Sequence, residues 1–260
     1  MNSLQSIIEE QKPTFIGISE TRLNKGDPLE IEGYEVKRRD RTGDGGGVLI
    51  AYKREIENIV RVVREEHGKF EMIWVKLDNT VTKVRIGVVY MPQENETTVD
   101  ELQDIYRMIE EEIETAITQG EKIMLMGDFN CKVGAVIPNN NEKITKGGRI
   151  LLKMIEKYNL SLLNSESCCT GTWTRIEGDE KSILDYMIVQ KDELESCKEM
   201  SVDENKDYTP YHMEMTERGQ RIVYTDHCMM KCDVDWYVKL EKTATRKVLI
   251  QEEKLNLQLN

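Results

Sequence analysis

Apolar residues recur along this chain in two periods, and the alternation between them sets the expected elements. Leu4, Ile7 and Ile8 share one face of a short helix over residues 3–11, with Asn2 or Ser3 as cap. Pro13 ends it, and residues 14–19 form an apolar run of strand length with Glu20-Thr21-Arg22 just past its end. A basic run, Lys37 to Arg41, and a glycine-rich turn, Gly43 to Gly47, precede a strand from Val48 to Tyr52. Residues 71–77 and 83–90 pair around Asp78-Asn79-Thr80, with Val84, Ile86, Val88 and Tyr90 on one face. Thr98-Val99-Asp100-Glu101 is a capping box that opens a helix to about Ile117, striped by Leu102, Ile105, Ile109, Ala116 and Ile117. The strand 123–126 follows, then a loop to Asn141, a helix over 148–158 and a strand over 160–163. Thr172-Trp173-Thr174 and 183–189 read as two strands joined by a turn at Gly178-Asp179. Residues 191–207 read as an exposed helix or loop, 228–235 as a last strand, and 238–260 as charged and weakly periodic. Many strands interleaved with few helices predict a mixed α/β layered domain.

Composition narrows the class. At 260 residues the chain can form one large domain or two small ones, and 39% hydrophobic content with 5 prolines suits a folded globule. A net charge of −12 argues against a strongly basic nucleic-acid binder, so a polyanion would have to meet a local patch or a metal. The six cysteines contain no CxxC pair and suggest neither a zinc site nor a disulfide framework. The N-terminus lacks a signal-peptide pattern, and no apolar run approaches the ~20 residues of a membrane span. The expectation is a reduced, intracellular protein, nuclear or cytoplasmic, with no membrane partner.

Candidate chemistry falls just after the strands, where layered folds place their sites. After Ile123-Met124-Leu125-Met126, Gly127 breaks the run, and Asp128 and Asn130 follow on one side of an extended segment. A carboxylate and an amide there suit water activation and oxyanion or metal contact. Asp185 sits inside an apolar run, where a carboxylate is costly unless paired. Glu20 alone is a solvated loop acid, Tyr90 alone a core aromatic with its hydroxyl at the rim, and His227 alone a structural histidine. The glycines at 43–47 lack the Lys-Ser/Thr and helix of a phosphate loop and read as a hairpin turn.

Together these segments resemble one family. Ile18-Ser19-Glu20-Thr21-Arg22, Gly45-Gly46-Gly47-Val48, Val89-Tyr90-Met91-Pro92, Gly127-Asp128-Phe129-Asn130, Gly148-Arg149, Thr172-Trp173, Leu184-Asp185-Tyr186 and Thr225-Asp226-His227 keep the order seen in the endonuclease/exonuclease/phosphatase superfamily. The pattern is most similar to the apurinic-type endonuclease domains of non-LTR retrotransposons and covers roughly residues 1–235. The resemblance implies a four-layer α/β sandwich, two β-sheets flanked by helices. It also implies a metal-dependent phosphodiester hydrolase that nicks DNA.

By that resemblance Glu20 binds Mg²⁺, with Mn²⁺ a possible substitute, and Asp226 is a second acid near the metal. Asp128 orients or deprotonates the attacking water, and Asn130 holds a phosphate oxygen or a metal-bound water. Asp185 accepts a hydrogen bond from His227, His227 contacts the scissile phosphate and Tyr90 donates to a phosphate oxygen. Either Asp128 or His227 is the base. The pattern departs from the family in three places. The family begins one strand earlier, with an asparagine of the metal site, so the first strand is expected to be missing. Ser182 stands where relatives carry glutamine, and Gln93 where apurinic-site enzymes carry asparagine. The expected organisation is a catalytic domain over 1–236 and a charged tail or linker helix over 237–260. The alternatives are a phospholipid or inositol-phosphate phosphoesterase of the same superfamily, and a non-catalytic remnant.

Overall fold

The computed structural model describes residues 4–40, 46–66, 70–208, 211–216, 219–237 and 255–259. The chain opens with helix α1 (Leu4–Gln11), strand β1 (Phe15–Ser19) and the hairpin of β2 (Tyr34–Arg39) and β3 (Val48–Lys53). A meander follows: β4 (Val60–Glu66), β5 (Glu71–Leu77) and β6 (Val84–Tyr90). Helix α2 (Val99–Gln119) crosses to β7 (Lys122–Asp128), and α3 (Lys146–Lys157) leads to β8 (Leu160–Leu162). The short strands β9 (Cys169–Thr170), β10 (Arg175–Glu177) and β11 (Glu180–Ser182) precede β12 (Asp185–Gln190) and β13 (Cys197–Val202). A hairpin of β14 (Tyr211–Thr216) and β15 (Gly219–Tyr224), then β16 (Met230–Val234) and β17 (Leu255–Leu259), complete it.

These elements stack in four layers. A seven-stranded sheet runs β2-β3-β1-β17-β16-β13-β9, and a six-stranded sheet runs β4-β5-β6-β7-β12-β8. Alternation along each strand divides its side chains between two cores. Met124, Met126, Val88 and Met187 pack between the sheets against Phe15, Ile50, Met200 and Met230. Their neighbours Ile123, Leu125, Val89 and Ile188 face outward, against Ile105, Ile109 and Ile113 of α2 and Leu151 and Met154 of α3. On the opposite face Ile8 of α1 covers Ile16, Leu49 and Ala51. The four-layer sandwich implied by the resemblance is the observed architecture.

Local signals explain the elements that periodicity placed well. Thr98 and Glu101 form a reciprocal capping box on α2, and Gly120 closes the helix in the left-handed conformation; a cap of this kind is worth about 1 kcal/mol. Thr145 caps α3, starting it two residues before the expected Gly148. The expected cap residues of α1, and Gly43 to Gly45 of the glycine-rich turn, lie outside the described residues.

Elsewhere the structure differs. The basic run contributes β2, whose Lys37 pairs with Glu35 and Arg38 with Asp40. Thr172-Trp173-Thr174 is not a strand; the hairpin around Gly178-Asp179 is built from β10 and β11 instead. The stretch 191–207 contains β13, because Cys197, Met200 and Val202 enter the core between the sheets. Within 237–260, the stretch expected as a charged tail or linker helix, Leu255–Leu259 form a strand, β17, while 238–254 lie outside the described residues. Beside β1 lies β17, parallel to it and antiparallel to β16. No helix among the described residues is long and apolar enough to cross a membrane.

Candidate active site

The site is assembled by register. Across the second sheet Glu71 of β5 faces Tyr90 of β6, Tyr90 faces Asp128 of β7, and Asp128 faces Asp185 of β12. These four positions continue the rows that lower down carry Ile73, Val88, Met126 and Met187 into the core between the sheets. At the rim apolar side chains give way to polar ones, so the polar row lies over the end of that core. Gly127 makes the approach possible: its φ is +140°, and a Cβ there would meet the Val89 carbonyl oxygen at 2.0 Å.

Asp128 and Asp185 are both buried. Asp128 Oδ1 accepts from the Asn130 amide N–H at 2.8 Å and Oδ2 from the Asn130 side-chain amide at 3.2 Å. Asn130 takes a left-handed backbone, φ +46°, and also donates to the Met91 carbonyl at 2.8 Å. His227 Nδ1 lies 3.0 and 2.9 Å from the two oxygens of Asp185. The pairing that the buried Asp185 required is therefore present. Thr174, fully buried, accepts from the backbone N–H of Leu184 at 3.0 Å and of Asp185 at 3.1 Å. Asn164 clamps the same strand, accepting from Met187 N–H and donating to the Asp185 carbonyl.

Glu20 approaches from the first sheet. It follows β1 in a left-handed conformation, φ +54°, as does Arg22. Non-glycine residues seldom hold this backbone unless their surroundings fix it. Here Thr21 N–H donates to the Gly47 carbonyl and Arg22 N–H to that of Gly46. A Cβ on Gly47 would lie 2.3 Å from Thr21 Oγ1, so the glycine-rich segment is the backing of the Glu20 loop. Glu71 joins the two sheets at this point by accepting from Gly47 N–H at 3.3 Å. Asp226 enters from the other side, held by Ile176 N–H to its carbonyl and by Arg175 Nε to its Oδ2 at 2.7 Å.

Glu20, Tyr90, Asp128, Asn130, Asp226 and His227 line one cleft of about 490 Å³, with Asp185 beneath His227. Every residue the sequence singled out thus converges on one place. The cleft also contains residues that the sequence reading gave no role: Arg22, Arg175, Gln93, Glu94 and Asn95. Arg22 donates to Glu20 at 2.9 Å, and Arg175 bridges Asp226 and Glu177. Glu94 accepts from the Lys146 and Gly147 N–H groups and so anchors the start of α3. Arg22 lies inside the Ser-Glu-Thr-Arg segment, and its spacing from Glu20 was the available signal. Arg175 meets Asp226 across 51 positions of sequence, which no local pattern signals.

The electrostatics follow from burial and crowding. Burial, then the neighbouring Asp185, pushes the Asp128 carboxyl up to about 8, against the pull of His227. Burial opposes charge on His227, but Asp185, Asp128 and Asp226 overcome it and push the imidazole up to about 10. Burial also works against the Asp226 carboxylate, yet His227 and Arg175 hold it below the ordinary range. Ligand atoms of Asp128, Asp185 and His227 lie within 4.8 Å of one another. Those of Asp185 and His227 are committed to each other, while Glu20, Asp226, Asp128 and Asn130 are among the side chains that bring oxygen atoms to the cleft. A set of hard oxygen donors fits a divalent cation such as Mg²⁺.

Solved structures with the same fold act in different settings. The chain is similar to the endonuclease domain of TRAS1, a telomere-specific non-LTR retrotransposon, at 16% identity and a TM-score of 0.56, over 89% of this chain and 90% of that one. It is similar to the 3′ phosphatase NExo from Neisseria bound to product DNA hairpin, at 16% identity and a TM-score of 0.61, over 90% and 96%. A mannosyl-6-phosphatase of Bacteroides thetaiotaomicron shares 14% identity and a TM-score of 0.59, over 90% and 89%. At such identities the likeness is one of fold. No curated protein sequence matches the chain. The sequence model of the endonuclease/exonuclease/phosphatase family matches residues 1–227, and the chain belongs to that family.

Proposed function

We propose that this protein is a metal-dependent phosphodiester hydrolase that nicks DNA. The observation that carries the reading is the rim row of Tyr90, Asp128 and Asp185, with His227 on Asp185 and Glu20 and Asp226 facing it across one cleft. DNA is favoured by the order of the motifs and by two of the similar structures, a retrotransposon endonuclease domain and an enzyme bound to a DNA hairpin. With a net charge of −12, phosphate has to be met locally, and Arg22 and Arg175 stand at the cleft to meet it once a cation takes over their acids.

The residues divide the work by protonation. With its Nδ1 on Asp185, His227 is a cation at neutral pH and serves as a donor to a phosphate oxygen rather than as the base. Asp128 is then the group that takes the proton from the attacking water. Its raised basicity suits that task once it is ionised. Asn130 holds Asp128 in place, and Tyr90 donates to a phosphate oxygen. Glu20 and Asp226 would hold the divalent cation, exchanging the guanidinium groups of Arg22 and Arg175 for it and releasing them toward substrate phosphates. The cation would polarise a phosphoryl oxygen and favour the ionised form of the acids.

The test is a substrate comparison in Mg²⁺: nicking of supercoiled plasmid against phosphate release from phosphoinositides. Nicking supports the assignment. Release of phosphate without nicking moves it to the phospholipid and inositol-phosphate branch of the superfamily. A chain that folds cooperatively but attacks neither substrate contradicts both.

A further inference from the structure

Strand β17 is an inner strand whose partners are both remote from it in sequence. It pairs parallel with β1, Phe15 opposite Leu257 and Gly17 opposite Leu259. Along its other edge it pairs antiparallel with β16, from Met230 opposite Leu259 to Val234 opposite Leu255. An inner strand is bonded on both edges, so β17 satisfies the facing backbone groups of β1 and β16. Its sequence, LNLQL, carries no charge. A charged residue in the middle of a sheet would be costly there.

The register reaches the cleft. Leu259 stands between Gly17 and Met230. Glu20 lies three residues beyond Gly17, and His227 three residues before Met230. The carboxyl end of β17 therefore points to the rim that carries Glu20 on one side and Asp226 and His227 on the other. Neighbouring strands lie about 4.8 Å apart, so β17 keeps β1 and β16 roughly 10 Å apart. With the channel empty, β1 and β16 would present two unpaired edges, or would close on each other and shorten that separation by one strand width. Either outcome moves Glu20 relative to Asp226.

We propose that the channel between β1 and β16 is a strand-acceptor site, that Leu255–Leu259 is its occupant, and that this strand sets the spacing between the two acidic sides of the cleft. The segment is then a working part of the catalytic sheet. The assignment does not depend on which phosphoester is cut.

Hydrogen exchange on the full chain tests it directly. Amides of β17, and those of β1 and β16 that face it, are expected to exchange as slowly as amides of β7 in the other sheet. The variant Gln258→Pro removes a ladder donor and is expected to lower Tm and speed exchange in β1 and β16, while β5, β6 and β7 stay protected. It is also expected to weaken Mg²⁺ binding measured by calorimetry. If the wild-type protein binds no Mg²⁺, the metal reading fails, and the exchange data still decide the role of the strand. Exchange of β17 amides at the rate of an unstructured peptide would overturn the proposal. So would an unchanged Tm with unchanged protection of β1 and β16 in Gln258→Pro.

Discussion

Strands β6 and β7 carry buried charge at both ends, and the two ends are built to opposite purposes. At the start of β6, Arg85 is bonded by Glu112 of α2 and by Glu121, with Nε 2.5 Å from Glu121 Oε2. Arg64 adds a second cation 3.6 Å from Glu112. Arg64 also pairs with Glu66 and Glu111 nearer the surface, whereas Arg85 is only 3% exposed. At the other end Asp128 and Asp185 crowd the one imidazole of His227, and the group opens onto a cleft that also holds Glu20, Glu94 and Asp226 with Arg22 and Arg175. In the first cluster the buried acids are held by arginines. In the second, two buried acids crowd one imidazole beside a cleft with room for a ligand. Buried charge alone therefore does not mark a site; buried acids crowded against each other next to a cavity do.

Breaking each end should give different losses, and the largest is expected at the cleft. Asp185→Asn and His227→Ala should each lower nicking by about 10²–10⁴-fold, and the double variant should lose little more, because the pair acts as a unit. Multiplicative losses would show that the two side chains work independently. At the start of β6, Arg85→Met takes the arginine from buried Glu121 and leaves Glu112 with only the more distant Arg64. Denaturant unfolding should show a loss of about 3–5 kcal/mol, the range for breaking a buried pair, with turnover per folded molecule unchanged. A loss of turnover in folded Arg85→Met would remove the distinction between the two ends.

A smaller effect, pH dependence, follows from the proton balance of the cleft in the metal-free protein. Asp128 keeps its proton in the folded state up to about 8, whereas the unfolded chain releases it near the ordinary value of 3.8. His227 keeps its proton up to about 10 when folded and loses it near 6.5 when unfolded. Both groups bind more protons in the native state, so both contributions fall as pH rises. The Asp128 contribution falls between about 4 and 8 and that of His227 between 6.5 and 10. Tm should decline across this range, most steeply where the windows overlap, between 6.5 and 8. Mg²⁺ should flatten the decline by favouring the ionised acids. A Tm that rises from pH 5 to 9 without metal would contradict the proton assignments.

The same contrast explains what the sequence disclosed. The capping box at Thr98 and Glu101 and the alternation in β6 are local signals, and both elements fold as read. Asp185 was legible because a carboxylate in an apolar run requires a partner, and His227 is that partner. Thr174 and Arg175 carried no such signal, since each is defined by a bond to a residue distant in sequence. Strand β13 escaped because charged residues occupy its solvent side and only Cys197, Met200 and Val202 report its buried face. Strand β17 escaped for a related reason: five residues of alternation specify a strand, but not which edges it joins. Periodicity describes one face of an element, whereas its neighbours are a property of the whole chain.

The central claim is that the cleft at the end of β7 performs metal-dependent cleavage of DNA, with the cation held in part by Glu20. Nicking of supercoiled plasmid across a Mg²⁺ titration, in the wild-type protein and in Glu20→Gln, tests it most directly. The wild-type protein should show saturable dependence on Mg²⁺. The variant should need more metal and turn over about 100-fold more slowly or worse, beyond the range typical of mutated outer-shell partners, with an unchanged thermal transition. Equal turnover and an identical Mg²⁺ titration in the two proteins would contradict the claim.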